Sequence, residues 1–194
     1  MSDPVKKFSF DDVFDSQRIY RLILTAMSNP TRTVNIKEFA DKLYGDYPEM
    51  LAIAMSLLDN EVSFFTFGSD GLSEKIVSLT LSRRERAENA DYIFVAEPTE
   101  MVFAIESAKC GTLRDPHKSA TLIVRNADTK KCRLRLRGAG IREETEFETT
   151  ALVKTALETR ERQFYEYPQG IDFIFVSENG ELLSIPRLTL WEVL

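Results

Sequence analysis

Apolar positions recur along this chain in two rhythms, a helical spacing in some stretches and short alternating or continuous runs in others. Val13, Phe14, Tyr20, Ile23, Leu24 and Met27 fall mostly on one face of a helix spanning about 12–28, and Pro30 stops it. The stretch from Val34 to Phe39 is too short to assign. Asp46, Pro48 and Glu49 then form a helix start of capping-box type. The run that follows, from Met50 to Leu58, is apolar nearly all round and predicts a helix in the interior. Val62 to Phe67 reads as a buried strand, followed by a loop through Gly68 and Gly71. The next helix is expected over about 73–83, ending in the charged run Arg83-Arg84-Glu85-Arg86.

Tyr92 to Val95 is another short strand, after which Pro98 opens a helix carrying Met101, Val102, Ile105 and Ala108, with Gly111 placed to end it. Ala120 to Val124 and Cys132 to Arg137 flank a polar Asp128-Thr129-Lys130-Lys131 turn and predict a hairpin. Thr149 to Phe164 predicts a helix burying Val153, Ala156, Leu157 and Phe164. The chain closes on two strands around an Asn179-Gly180 turn, the second broken by Pro186. Helices interleaved with short apolar strands predict an α/β fold, with a mixed sheet covered by helices on both faces. No repeat or linker divides the chain, so residues 1–194 are expected to form one domain, with residues 1–11 as a loosely held N-terminal arm.

Composition narrows the picture further. With 43% hydrophobic residues in 194, the chain has enough apolar material for a core without disulfide or metal staples. No apolar run approaches the ~20 residues that span a bilayer, and Met1 to Lys7 lacks the apolar stretch of a secretion signal. A cytoplasmic protein with free thiols is expected: Cys110 and Cys132 have neither CxxC spacing nor a histidine cluster, so no metal site is expected. Twenty-five basic against 31 acidic residues leave a net charge of −6, which argues against nucleic-acid coating and suits a specific protein partner.

Candidate chemistry is sparse. Gly138-Ala139-Gly140-Ile141 sits at a strand end, but the longer dinucleotide fingerprint is missing and an acidic run follows, so a tight turn is the better reading. Arg133, Arg135 and Arg137 alternate with Cys132, Leu134 and Leu136; their stripe is a solvated hairpin face, or meets an acidic partner or a phosphate-rich ligand. His117 is the single histidine and lies in a loop-like segment without an acid, serine or cysteine at a catalytic spacing. Asp172, in an otherwise apolar strand, requires a partner if buried, and Arg187 across the Asn179-Gly180 turn is the expected one, as a structural ion pair. Arg21, on the first helix, either donates to a neighbour or is solvated.

Several separated blocks resemble the PhnH family of the phosphonate carbon–phosphorus lyase system. Phe14 followed by Tyr20-Arg21 and Ala26-Met27-Ser28-Asn29-Pro30 is similar to that family's first helix and its stop, with Tyr20 for a phenylalanine and Thr31 for a glycine. Leu57-Leu58-Asp59-Asn60-Glu61, Gly111-Thr112 with Pro116 and Ser119-Ala120-Thr121, and Leu136-Arg137-Gly138-Ala139-Gly140-Ile141 follow in the family's order. Tyr167-Pro168-Gln169-Gly170-Ile171-Asp172 and Ile185-Pro186-Arg187-Leu188-Thr189 complete the pattern.

The resemblance implies a three-layer α/β/α sandwich like the large domain of pyridoxal-phosphate-dependent transferases, without the cofactor. It also implies a cytoplasmic subunit that works with PhnG, PhnI and PhnJ, and functionally with PhnL, and that forms a homodimer when isolated. Their shared reaction moves ribose triphosphate from MgATP to a phosphonate and releases adenine. A non-catalytic subunit is the leading expectation. The alternatives are a subunit binding a phosphonate or nucleotide, and a pyridoxal-phosphate transferase relic using Lys109 or Lys118 as the Schiff-base lysine. No catalytic, cofactor-binding or metal residue is assigned. Arg21, Gly138, Gly140, Gly170, Asp172, Arg187 and Thr189 are the candidate interface or structural residues carried by the matching blocks.

Overall fold

A computed structural model describes residues 9–194, so most of the expected N-terminal arm, residues 1–8, lies outside the described residues. At its end Phe10 is buried in the core and the Ser9 amide donates to the Lys42 carbonyl. In chain order the elements are α1 Phe14–Ser28, β1 Val34–Asn35, α2 Lys37–Ala40, α3 Pro48–Leu57, β2 Ser63–Phe67, α4 Asp70–Thr80, β3 Arg83–Arg84 and β4 Tyr92–Val95. There follow α5 Met101–Ser107, β5 Thr121–Arg125, β6 Lys131–Arg137, β7 Thr145–Thr150, α6 Ala151–Glu161, β8 Asp172–Val176, β9 Glu181–Ile185 and β10 Leu190–Val193.

Seven strands form a mixed sheet in the order β1-β9-β8-β5-β4-β2-β3. β3, β2, β4, β5 and β8 run parallel, while β9 and then β1 join antiparallel at one side. Alternate residues of each central strand feed different cores, as strand geometry requires. Phe64, Phe94, Ile123 and Ile174 pack with α1, α3 and α4 through Ile19, Ile23, Ile53, Leu72 and Ile76. Ile93, Val95, Leu122, Val124, Phe173 and Phe175 pack with α5 and α6 through Met101, Ile105, Val153 and Leu157. The sheet is therefore mixed and covered by helices on both faces, as expected for the α/β class.

Local structure departs from the sequence expectations at several places. The expected hairpin does not form. β5 enters the large sheet between β4 and β8, whereas β6 leaves it for a second antiparallel sheet, β10-β6-β7. β5 is continuously buried through Leu122, Ile123 and Val124, as a central parallel strand must be, while β6 buries only Leu134 and Leu136. β7 occupies residues expected to be loop and helix, so α6 starts at Ala151, and Phe164 lies beyond it, exposed. On α1 the buried set is Asp15, Ile19, Ile23 and Ala26; Val13, Phe14, Tyr20 and Leu24 face out. Asp15 is accommodated there because Lys42 Nζ lies 2.7 Å from Oδ1 and the Asp11 amide donates to Oδ2.

Asp46 does not cap α3. Tyr47 occupies the cap position in a left-handed conformation, φ +59°, with no side-chain cap, and Glu49 accepts from Lys37 Nζ at 2.8 Å instead. α4 begins at Asp70 because the Ser69 hydroxyl accepts from the Leu72 amide at 3.1 Å. That helix ends when Leu81 turns left-handed, before the charged run, part of which becomes β3. Val34–Phe39 resolves into β1 and the start of α2.

Candidate functional site

The chain leaves β2 for β3 at the sheet edge, then crosses back to β4 on the other side of β2. Helices α4 and α5, which follow β2 and β4, pack on opposite faces, so this is a topological switch point, where open α/β sheets commonly bind ligands. Side chains of the protein itself meet here, beside an open cavity of about 480 Å³ bounded by Lys37, Tyr47, Glu49, Arg125 and Glu178. Gly68, at φ +84°, lies so close to Glu97 that a Cβ would stand 2.7 Å from its Cγ. The Tyr47 hydroxyl donates to Glu97 Oε1 at 3.0 Å, and burial followed by that carboxylate pushes the phenol pKa up. Arg125 lies over the Tyr47 ring and pairs with Glu178. Beside them Lys37 donates to Glu49, a bond that leads the causes raising its pKa and keeps it an ammonium.

The lysines considered for a Schiff base are engaged elsewhere. Lys109 donates to Asp91 and to the Asn89 carbonyl at the start of β4, the end opposite the crevice. Lys118 is exposed and pairs with Asp115 at 3.3 Å. Both candidate lysines are thus engaged in ion pairs, Lys109 with Asp91 and Lys118 with Asp115. His117 is exposed in a single turn of 3-10 helix, Pro116–Lys118. The Cys132 thiol is half-buried and burial pushes its pKa up, which disfavours the thiolate.

Several of the blocks that carried the family resemblance converge elsewhere, where the two sheets meet. Gly140, at φ +80°, brings the turn after β6 onto the end of α1, and a Cβ there would stand 2.2 Å from the Ser28 carbonyl oxygen. Gly138 lies against Leu188 and Thr189, and Gly170 against Arg187. The Gly138-Ala139-Gly140 segment is thus a turn, as expected, closed by the Ile141 amide donating to the Gly138 carbonyl at 3.1 Å.

Asp172 and Arg187 do meet, but not as the expected ion pair. The backbone amide of Arg187 donates to Asp172 Oδ1 at 2.7 Å, while its guanidinium donates to the Pro116 carbonyl and to Ser119 Oγ. Register explains this. Phe173 pairs with Ile185 in the β8–β9 hairpin, so the chain past Pro186 presents its backbone, not its side chain, to Asp172. Gln169 Nε2 and the Gly170 amide tie the same loop to the carbonyls of Gly111 and Cys110. Arg21 lies outside this junction, exposed on α1, and makes no ion pair with a described residue.

Sequence reasoning missed the most buried charge of the junction, Arg160, 6% exposed near the end of α6. It donates to the carbonyls of Pro186 at 3.1 Å and Thr189 at 2.9 Å and lies 5.5 Å from the centre of the Phe173 ring. Burial pushes its pKa down to about 10, against an opposing pull from Asp172, and it stays charged at neutral pH. The available signal was positional: an arginine at i+3 and i+4 from the buried Leu157 and Ala156 continues their stripe. Arg160 and Arg187 line an open groove of about 310 Å³ with Phe164, Tyr165, Tyr167, Leu188 and Trp191. Burial raises the Tyr165 pKa to about 12, so its hydroxyl remains protonated.

The arginine stripe of β6 finds its acids within the chain. Arg135 reaches Glu146 at 2.7 Å on β7 and Glu192 at 2.6 Å on β10, and Arg133 and Lys131 pair with Glu146 and Glu148. The stripe is the exposed face of the small sheet, its charges answered by the acids of the neighbouring strands.

Fold and site together define an α/β protein of mixed sheet in which the motif residues cement a junction between two sheets and frame a groove beside it. A family model described as "Bacterial phosphonate metabolism protein (PhnH)" matches residues 8–192 of the 194. The chain belongs to the PhnH family, and its role is in bacterial phosphonate metabolism. No curated protein matches the chain significantly. Among the described residues no helix is long and apolar enough to cross a membrane.

Proposed function

We propose that this chain is a non-catalytic subunit of a cytoplasmic carbon–phosphorus lyase complex, assembling with PhnG, PhnI and PhnJ and acting functionally with PhnL. In that role it supports the transfer of ribose triphosphate from MgATP to a phosphonate with release of adenine. The observation that carries the reading is how the family-pattern residues are used. Gly138, Gly140 and Gly170 let backbones meet, Asp172 holds the Arg187 amide, and Arg187 holds the Pro116 loop. These residues build a surface and present no acid–base pair to a substrate.

The same proposal takes residues 1–194 as one domain related to the large domain of pyridoxal-phosphate transferases, folded without the cofactor, and takes the isolated chain as a homodimer. Lys109, one of the two candidate Schiff-base lysines, pairs with Asp91 at the end of the sheet opposite the crevice, which favours a fold without transferase chemistry. Co-expression of the tagged chain with PhnG, PhnI and PhnJ from the same genome tests the proposal. A stoichiometric complex is expected on purification, and a homodimer by light scattering when the chain is expressed alone. A well-folded chain that co-purifies with none of the three refutes the subunit reading.

A further inference from the structure

We propose that the groove between the end of α6 and β10 binds a small aromatic acid, a flat ring carrying one carboxylate, phosphate or phosphonate group. Three observations converge there. The volume, about 310 Å³, lies at the small end of the range for ligand pockets. The walls are aromatic: Tyr165, Tyr167 and Trp191 line the groove with Phe164, and offset or edge contacts with a ring suit such side chains. The polar end carries two guanidinium groups, Arg160, which donates to the Pro186 and Thr189 carbonyls, and Arg187, which donates to the Pro116 carbonyl and Ser119 Oγ; neither has a carboxylate within 4.0 Å among the described residues.

Asp172 offsets part of that charge at longer range and Glu161 stands exposed on the rim. One further negative charge is accommodated where two full phosphates would meet the acids. The rim residues also sit where the fold itself gains little from them. Phe164 holds a left-handed backbone, φ +52°, with 90% of its surface exposed, and Tyr167 is 78% exposed. A left-handed backbone disfavours a phenylalanine, and an exposed ring returns no burial to the folded chain. A ring bound between them and Trp191 supplies that contact.

The inference stands on the groove of the isolated chain and does not depend on the subunit reading. Trp191 is the single tryptophan of the sequence, so its emission reports this groove directly. The test titrates the chain with phenylphosphonate and with benzoate, using methylphosphonate as the ringless control and benzyl alcohol as the uncharged one. A saturable change is expected for at least one aryl acid, half-complete near a millimolar or below for a ligand of about ten heavy atoms. The two controls are expected to give no saturation in the same range, and the two aryl acids tell a phosphonate from a carboxylate.

Tyr167→Ala is expected to weaken binding about three- to tenfold, the loss of one ring contact, without lowering the melting temperature. Phe164→Gly is expected to weaken binding while raising the melting temperature. No saturable response to either aryl acid, equal responses to a control, or unchanged affinity in both variants would overturn the proposal. Loss of co-purification with PhnG, PhnI and PhnJ in Tyr167→Ala, with no response to the acids, would assign the groove to a protein partner and overturn it equally.

Discussion

Two residues at the sheet junction, Arg160 and Thr189, are both nearly buried yet differ in what they contribute. Arg160 satisfies two backbone carbonyls with a charged donor, whereas Thr189 Oγ1 is buried without a hydrogen-bond partner. Removing a bonded buried group strands its partners, while removing an unbonded one does not. Arg160→Met is therefore expected to lower stability by about 2–4 kcal/mol, read from urea unfolding midpoints. Thr189→Val should leave stability unchanged or raise it.

Two carboxylates with buried or half-buried partners, Asp15 and Asp91, contribute to the acid limit. Burial pushes Asp15 and Asp91 up, but the hydrogen bonds they accept, from the Asp11 amide and Lys42 and from Lys109 and Ser63, outweigh it and hold both below the ordinary 3.8. With folded pKa values below the unfolded ones, their stabilisation is complete above about pH 4 and is lost as the pH falls through the folded values. Lys42→Met should lower stability at neutral pH and flatten its decline below pH 4, and an unchanged acid limb would contradict this account.

At the scale of elements, two backbone positions carry opposite expectations. Leu81 ends α4 in a left-handed conformation with its side chain 76% exposed, a position where glycine is unstrained. Leu81→Gly should raise stability by up to ~1 kcal/mol. Gly140 is left-handed too, but there the added methyl of alanine collides with the Ser28 carbonyl that joins α1 to the turn after β6. Gly140→Ala should cost about 2 kcal/mol or more, visible as a fall in melting temperature. β7 shows why short strands escape a reading of pattern. Glu146 and Glu148 alternate with Thr145, Phe147 and Thr149, but threonine gives the inner face too little hydrophobic contrast to stand out from an acidic loop.

Across the whole molecule, the large sheet is held by two apolar layers and the small sheet by one, through Leu134 and Leu136 under α6. Its outer face carries the ladder of Arg133, Arg135, Glu146 and Glu192, whose charges are open to solvent and screened by salt. Arg135→Met should lower the melting temperature only slightly, and by less still in 1 M salt. A large loss that salt does not reduce would mean that the ladder is a principal support of that sheet. Deleting residues 190–194 removes β10 and one wall of the groove, and is expected to lower stability together with the proposed aryl-acid binding.

By itself the sequence determined the helical and strand character of the strongly periodic stretches, the α/β class, the Asn179-Gly180 hairpin and the family. Each of these rests on residues close together in the chain or on short ordered blocks. Tertiary structure decided which stripe of α1 faces inward, because Val13, Phe14, Tyr20 and Leu24 form an apolar set as convincing as the one buried, and only packing against α3 and β9 separates them. It decided that β5 and β6 part company, since a strand's partners are chosen by burial on both faces, not by the turn that follows it. It also placed Arg160 under Thr189 and gathered Gly138, Gly170 and Arg187 at one junction, contacts between residues far apart in the chain that no local pattern encodes.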